Sequence, residues 1–108
     1  MKLIVAIINK DDSADLTAKL NKAGFMSTKL STTGGFLRAG NVTLLIGTEE
    51  EKVDDCLNIM EECCSKRTQV VSTAAGNHAD QFFTSLPVEI TVGGATVFVL
   101  DVDKFIKM

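Results

Sequence analysis

The sequence predicts an α+β fold, a ferredoxin-like βαββαβ sandwich with an additional C-terminal β-hairpin. Segments with the period of a strand alternate with two segments of helical period, in the order strand, helix, strand, strand, helix, strand. Two βαβ halves of this kind place both helices on one face of an antiparallel sheet. An alternating segment over residues 88–92, a turn at Gly93-Gly94 and a returning segment over residues 95–100 predict the extra hairpin.

The length of 108 residues is enough for one layered core, so we expect a single domain over residues 1–108. The formal net charge of -3 argues against binding to DNA, RNA or an anionic membrane surface. The apolar start, residues 1–8, is too short for a secretory signal or a membrane span. Three cysteines, an odd number, fit a reducing compartment, so we expect a cytoplasmic protein.

The first half of the chain gives three strands and a helix. Residues 2–9 are apolar and β-branched almost throughout, which predicts a central strand covered on both faces. Residues 11–13 offer helix-capping side chains, and Gly24 is placed to end the helix that they start. Residues 26–33 alternate like a half-exposed strand, and residues 41–47 predict a third strand paired with it.

Residues 49–66 have the clearest helical pattern. Acidic residues 49–51 at its start and Lys66-Arg67 at its end complement the helix dipole. Its apolar residues fall on one face: Val53, Cys56, Leu57, Met60, Cys63 and Cys64.

The C-terminal part contains the remaining strands. Residues 69–72 predict the fourth strand of the βαββαβ unit, and residues 73–86 form a long connection with few helix or strand signals. Residues 88–92 and 95–100 predict the extra hairpin. Such a hairpin is suited to pair with, or cover, the sheet edge of another subunit.

Residues 28–41, between the second and third strands, have the composition of a ligand-binding loop. Phe36 can stack on a base, Arg38 can bind a phosphate, and Asn41 can form hydrogen bonds without charge. Glycines 34, 35 and 40 allow close approach of the backbone. These features suit a nucleotide, although a plain connection with Phe36 folded onto the core has the same composition.

The cysteines and the single histidine are candidates for a metal or thiol site. Cys63 and Cys64 point about 100° apart on a helix, no CxxC spacing exists, and both lie with Cys56 on the apolar stripe. Nothing ties His78 to any thiol. We therefore predict buried core thiols, no metal and no catalytic residue.

One run of ten residues is specific: Thr-Thr-Gly-Gly-Phe-Leu-Arg-Ala-Gly-Asn, residues 32–41. It resembles the signature of the PII-like cyclic-di-AMP receptor proteins of Gram-positive bacteria, and the likeness continues in residues 28–30, 53–54, 69–72, 87–89 and 92–99. The resemblance implies a homotrimer without catalytic activity or cofactor, with nucleotide sites in clefts between subunits. It also implies a role in signal transduction, in which loop movements pass the signal of cyclic di-AMP to an unknown downstream protein.

The resemblance also implies the ligand-binding residues. Thr28 and Asn41 are expected around the base and sugar, and Phe36 is expected to stack. The full set expected in the cleft is Thr28, Gly35, Phe36, Leu37, Arg38, Asn41, Gly47, Gly94, Ala95 and Phe98.

The chain departs from the family pattern at several positions. Met26 and Gly24 stand where polar residues are frequent, and residues 76–83 and 101–103 also differ. Two alternatives remain open, and these departures favour the first. One is a divergent PII-like trimer that binds ATP or ADP, or acts as an interaction scaffold. The other is a small enzyme or metal protein on the same fold that uses the cysteines and His78.

Overall fold

A computed structural model describes residues 1–30, 40–72 and 87–108. The elements in chain order are β1 (Lys2–Asn9), α1 (Lys10–Lys22), β2 (Ser27–Leu30), β3 (Asn41–Thr48), a 3-10 turn (Glu50–Lys52), α2 (Val53–Cys64), β4 (Arg67–Ser72), β5 (Pro87–Val92) and β6 (Ala95–Asp101). Four strands form an antiparallel sheet in the order β2-β3-β1-β6, and β4 and β5 form a separate two-stranded sheet. The mixed α+β class, with two helices and an antiparallel sheet, is confirmed. Within the described ranges, no helix is long and apolar enough to cross a membrane.

The hydrophobic core lies between the two helices and one face of the four-stranded sheet. Alternate residues of β1 and β3 are buried on that face, as expected from the two-residue period of a strand. The buried hydrophobic side chains are Ile4, Ala6, Ile8, Val42, Leu44 and Ile46 from the sheet, Leu16 and Leu20 from α1, Phe25 after α1, and Cys56, Met60, Cys63 and Cys64 from α2. The predicted apolar stripe of α2 is therefore a core face.

The opposite face of the sheet, which we call the open face, is also apolar. It carries Leu3, Val5, Ile7, Leu45, Phe98 and Leu100, which the strand registers and the pleat place on one side. Its β6 residues Phe98 and Leu100 are 53% and 48% exposed, and its residues on β1 and β3 are half-buried. The expectation that residues 2–9 are covered on both faces is therefore not met by the described part of one chain.

Both ends of α1 are capped by local hydrogen bonds. The helix starts at Lys10, because the side chain of Asn9 accepts a 2.9 Å hydrogen bond from the Asp11 backbone N–H. At its other end Gly24 has a φ of +92°, and the Phe25 N–H donates to the Leu20 carbonyl at 2.8 Å. This is the glycine-terminated helix end that the sequence predicted.

The prediction of one helix over residues 49–66 is wrong at both ends. A 3-10 turn precedes α2, and α2 stops at Cys64. Ser65 ends it, because its ψ of 142° is extended while its N–H and hydroxyl both donate to the Glu61 carbonyl. Lys66 and Arg67 thus lie beyond the helix and do not close its last turn.

The predicted pairing of the last three strands is also wrong. Residues 67–72 do not join the four-stranded sheet. They pair with β5, and β6 takes the place beside β1. Residues 88–92 and 95–100 are therefore not two arms of one hairpin. Gly93 and Gly94 instead lead the chain from one sheet into the other, and Val97 of β6 packs against the core. The connection over residues 73–86 lies outside the described residues.

Candidate functional site

Three strand ends meet at one end of the four-stranded sheet. β1 ends there at Asn9, β3 starts opposite it at Asn41, and β6 starts on the other side at Ala95. The glycine-rich segment enters the sheet at the same place. The carbonyl of Gly40 accepts a 2.6 Å hydrogen bond from the Lys10 backbone N–H, which fixes where the chain joins β3.

A cavity of about 320 Å³, which we call the polar cavity, opens at this end of the sheet. The polar residues Asn41, Lys66 and Thr96 line it, together with Ile7, Ile8, Gly93, Gly94 and Ala95. Asn41, Gly94 and Ala95 were all predicted to bind a ligand from the sequence, and the fold brings them together. They offer an amide side chain beside open backbone, which suits a hydrogen-bonding ligand.

A second cavity, of about 410 Å³, adjoins the first because Lys66, Gly94 and Ala95 line both. We call it the apolar cavity, since α2 and β6 supply hydrophobic side chains including Met60 and Val97. The Gly94 N–H donates to the Cys64 carbonyl at 2.6 Å, which ties the start of β6 to the end of α2 between the two cavities.

Arg67 lies against Gly93, which lines the polar cavity, and is held there by two hydrogen bonds that we call the Arg67 clamp. Its Nη2 donates to Asp12 Oδ1 at 2.7 Å, and its Nη1 donates to the Ser65 carbonyl at 3.1 Å. The Asp12 side chain is only 8% exposed, and the hydrogen bond to it, together with its negative charge, raises the pKa of Arg67. A Cβ on Gly93 would lie 2.5 Å from Nη1 and 2.8 Å from the Ser65 oxygen, so this clamp requires glycine there.

Thr28, Gly47 and Phe98 lie elsewhere, on the open face. The registers align Thr28, Leu45, Val5 and Phe98 in one row across all four strands. Thr28 and Phe98 are at the two ends of that row, three strand spacings or about 14 Å apart. Asn41 and Gly47 are at opposite ends of β3, about 20 Å apart. One chain therefore does not bring all the predicted residues into one site.

The remaining predicted residues, Gly35, Phe36, Leu37 and Arg38, lie outside the described residues, so their roles stay predictions. The residues that sequence reasoning missed are Lys66, Arg67 and Asp12. Lys66 and Arg67 had been assigned to the helix dipole. The partner of Asp12 is 55 residues away in the chain, and no local spacing indicates such a contact.

The thiols are buried, as predicted. Cys56 and Cys64 are fully buried and Cys63 is 8% exposed. Burial raises the pKa of Cys56 and of Cys64 to about 11, so both are protonated and unreactive at neutral pH. The described residues contain no group of three His, Cys, Asp or Glu side chains placed to hold a metal ion. His78 is outside the described residues.

Comparison with known proteins identifies the family. The family model for the cyclic-di-AMP receptor matches residues 1–108, the whole chain. A protein of unknown function from Pediococcus pentosaceus has a similar crystal structure, with a TM-score of 0.81 and 37% sequence identity over 99% of this chain and 96% of that chain. This chain belongs to the cyclic-di-AMP receptor family, as the resemblance of residues 32–41 had indicated.

Proposed function

We propose that this protein is a non-enzymatic signalling receptor that binds a cyclic dinucleotide, cyclic di-AMP, in clefts between the subunits of a homotrimer. The observation that carries the proposal is the polar cavity. Asn41, Gly94 and Ala95, which the family resemblance assigns to the ligand, line this cavity where the chain leaves the glycine-rich segment. Ligand binding then rearranges loops and passes the signal to a partner protein.

The distribution of the other predicted residues supports a site between subunits. Thr28 and Phe98 are on opposite edge strands of one sheet, so they reach a common ligand most simply when one chain supplies Thr28 and a neighbour supplies Phe98. The open face supports the same assembly, because an apolar sheet face of this kind is stabilised when another subunit removes it from water.

One observation favours a second candidate function. Met26 is 84% exposed, and its thioether cannot supply a charged hydrogen bond to a base or phosphate. The presence of methionine at this position is consistent with a divergent trimer that binds ATP or ADP, or that serves as a scaffold without a ligand. A panel of nucleotides in competition separates the two candidates. Retention of bound cyclic di-AMP in excess ATP supports the receptor, and displacement of cyclic di-AMP by ATP, or binding of ATP alone, supports the alternative.

The stacking role of Phe36 gives a direct test of the proposal. Replacing it in Phe36→Ala should weaken cyclic di-AMP binding about tenfold, because stacking on an aromatic ring contributes roughly 1–3 kcal/mol per base. The matched control is Phe105→Ala, which removes a 63% exposed ring from the C-terminal segment. Trimer mass should be the same in both variants. Equal affinity of Phe36→Ala and wild type would show that the stacking assignment is wrong.

A further inference from the structure

The polar and apolar cavities differ in what they can hold. Leu57, Met60 and Val97 give the apolar cavity the character of a pocket for a flat hydrophobic group. Asn41 and Thr96 give the polar cavity hydrogen-bonding side chains. A ligand that occupies both has a hydrophobic part and a polar part joined at the shared segment.

Lys66 is the cation at that junction. It lines both cavities, is exposed, and forms no ion pair with any residue in the described ranges. The neighbouring Arg67 has its guanidinium committed to Asp12 and to the Ser65 carbonyl. An ammonium group at this position is placed to neutralise an anionic part of a ligand.

Charge also decides which part of a ligand enters which cavity. The acidic side chain that lines the apolar cavity is Glu61, and it repels an anion there. The polar cavity has no acidic lining residue among those described. The backbone at Gly94 leaves room beside Lys66, since a Cβ added there meets no atom within 4 Å. A phosphate therefore fits on the polar side of Lys66, and an uncharged base fits in the apolar cavity.

We propose that Lys66 binds a phosphate of the nucleotide and that one adenine base occupies the apolar cavity. This assignment rests on the proposed function and goes beyond it, because it adds a phosphate-binding residue and a base subsite from α2. The ligand class is a nucleotide with a base next to a phosphodiester or polyphosphate.

The first test compares Lys66→Gln with Lys66→Arg. Loss of a charged hydrogen bond should weaken cyclic di-AMP binding about tenfold or more in Lys66→Gln, and binding should become less sensitive to salt. Lys66→Arg keeps the charge and should bind within about threefold of wild type. The control Lys104→Gln removes an exposed lysine outside both cavities and should have no effect.

The second test follows the methionine methyl groups by NMR in the wild-type protein. A base in the apolar cavity should shift the Met60 methyl resonance when cyclic di-AMP is added, because the ring current of adenine acts within a few ångströms. The methyl of Met108, in the exposed C-terminal segment, should not move.

The outcomes separate this inference from the proposed function. If the wild-type protein binds cyclic di-AMP and Lys66→Gln binds it with the same affinity, the phosphate assignment alone is wrong. If the wild-type protein binds cyclic di-AMP and the Met60 methyl resonance does not shift, the base subsite alone is wrong. If the wild-type protein binds neither cyclic di-AMP nor ATP, both this inference and the proposed function are wrong.

Discussion

The cysteines show that burial, rather than residue type, determines whether a thiol is reactive or packs in the core. Cys56 and Cys64 are fully buried on the core face of α2, and burial raises the pKa of each to about 11. The neutral thiol is the form that packs in an apolar core. The described cysteines therefore support packing and not thiol chemistry.

The raised pKa values predict how stability depends on pH. The folded state holds the Cys56 and Cys64 protons up to about pH 11, whereas the unfolded state releases them near pH 9. The unfolded state thus binds fewer protons between these values, so the free energy of unfolding should fall as pH rises from about 9 to 11 and be unaffected by the thiols below that window. Urea unfolding at about pH 7, 9 and 10.5 measures this fall.

The control for the thiol prediction is the double variant Cys56→Ala with Cys64→Ala. It should be less stable at every pH because the substitutions leave cavities, but its free energy of unfolding should fall less than that of wild type above about pH 9. An identical decline in the variant and in wild type would assign the effect to other groups. Fast reaction of the native thiols with a thiol reagent at neutral pH would contradict the account.

At the scale of single residues, the features that could be predicted are those that local periodicity determines. The cysteine positions and the Gly24 helix end were predictable because spacing along one helix sets them. Lys66 was misassigned because a basic residue after a helical pattern also fits the dipole. The contact of Arg67 with Asp12 joins distant parts of the chain and depends on the whole fold.

At the scale of elements, the strands were predictable and their pairing was not. β4 and β6 both contain β-branched residues typical of strands, so local composition alone does not say which of them lies beside β1. Gly93-Gly94 fits a two-residue hairpin turn, which suggested that β5 pairs with β6. Val97 packs on the core, and the Gly94 N–H donates a hydrogen bond to the Cys64 carbonyl. Both contacts favour β6 beside β1, and neither can be predicted from a local sequence pattern.

The two glycines at Gly24 and Gly93 provide a matched test of the Arg67 clamp. Both have positive φ, +92° and +79°, but an added Cβ meets no atom within 4 Å at Gly24 and two close atoms at Gly93. Gly24→Ala should therefore cost only the left-handed strain, about 1–2 kcal/mol. Gly93→Ala should cost at least about 1 kcal/mol more, because the Ser65 carbonyl and Arg67 must move.

Urea unfolding gives both free energies, and nucleotide titration gives a second comparison. Gly93→Ala should also weaken ligand binding, because Gly93 lines the polar cavity, while Gly24→Ala should not. Equal losses of stability in the two variants would show that the clamp does not constrain this turn.

At the scale of the whole molecule, the open face is the main unexplained surface of a single chain. We expect it to be the contact between subunits of the proposed trimer. A carboxylate in that contact should be costly, since a buried charge without a partner is strongly destabilising. Leu100→Asp should therefore convert the trimer to smaller species, measured as mass by light scattering after gel filtration.

The control for the assembly prediction is Val70→Asp, which places the same charge at a 59% exposed position on β4. It should keep the wild-type mass, three times the 11.6 kDa of one chain. Leu100→Asp with an unchanged mass would exclude Leu100 from the subunit contact. A monomeric wild-type protein would contradict the proposed site between subunits.

The most direct test of the receptor function is calorimetric titration of the wild-type protein with cyclic di-AMP, with cyclic di-GMP and ATP in parallel. We predict micromolar or tighter binding of cyclic di-AMP alone, near one ligand per subunit. No heat with any of the three, or equal binding of ATP, would contradict the receptor function and leave only the fold and the family membership standing.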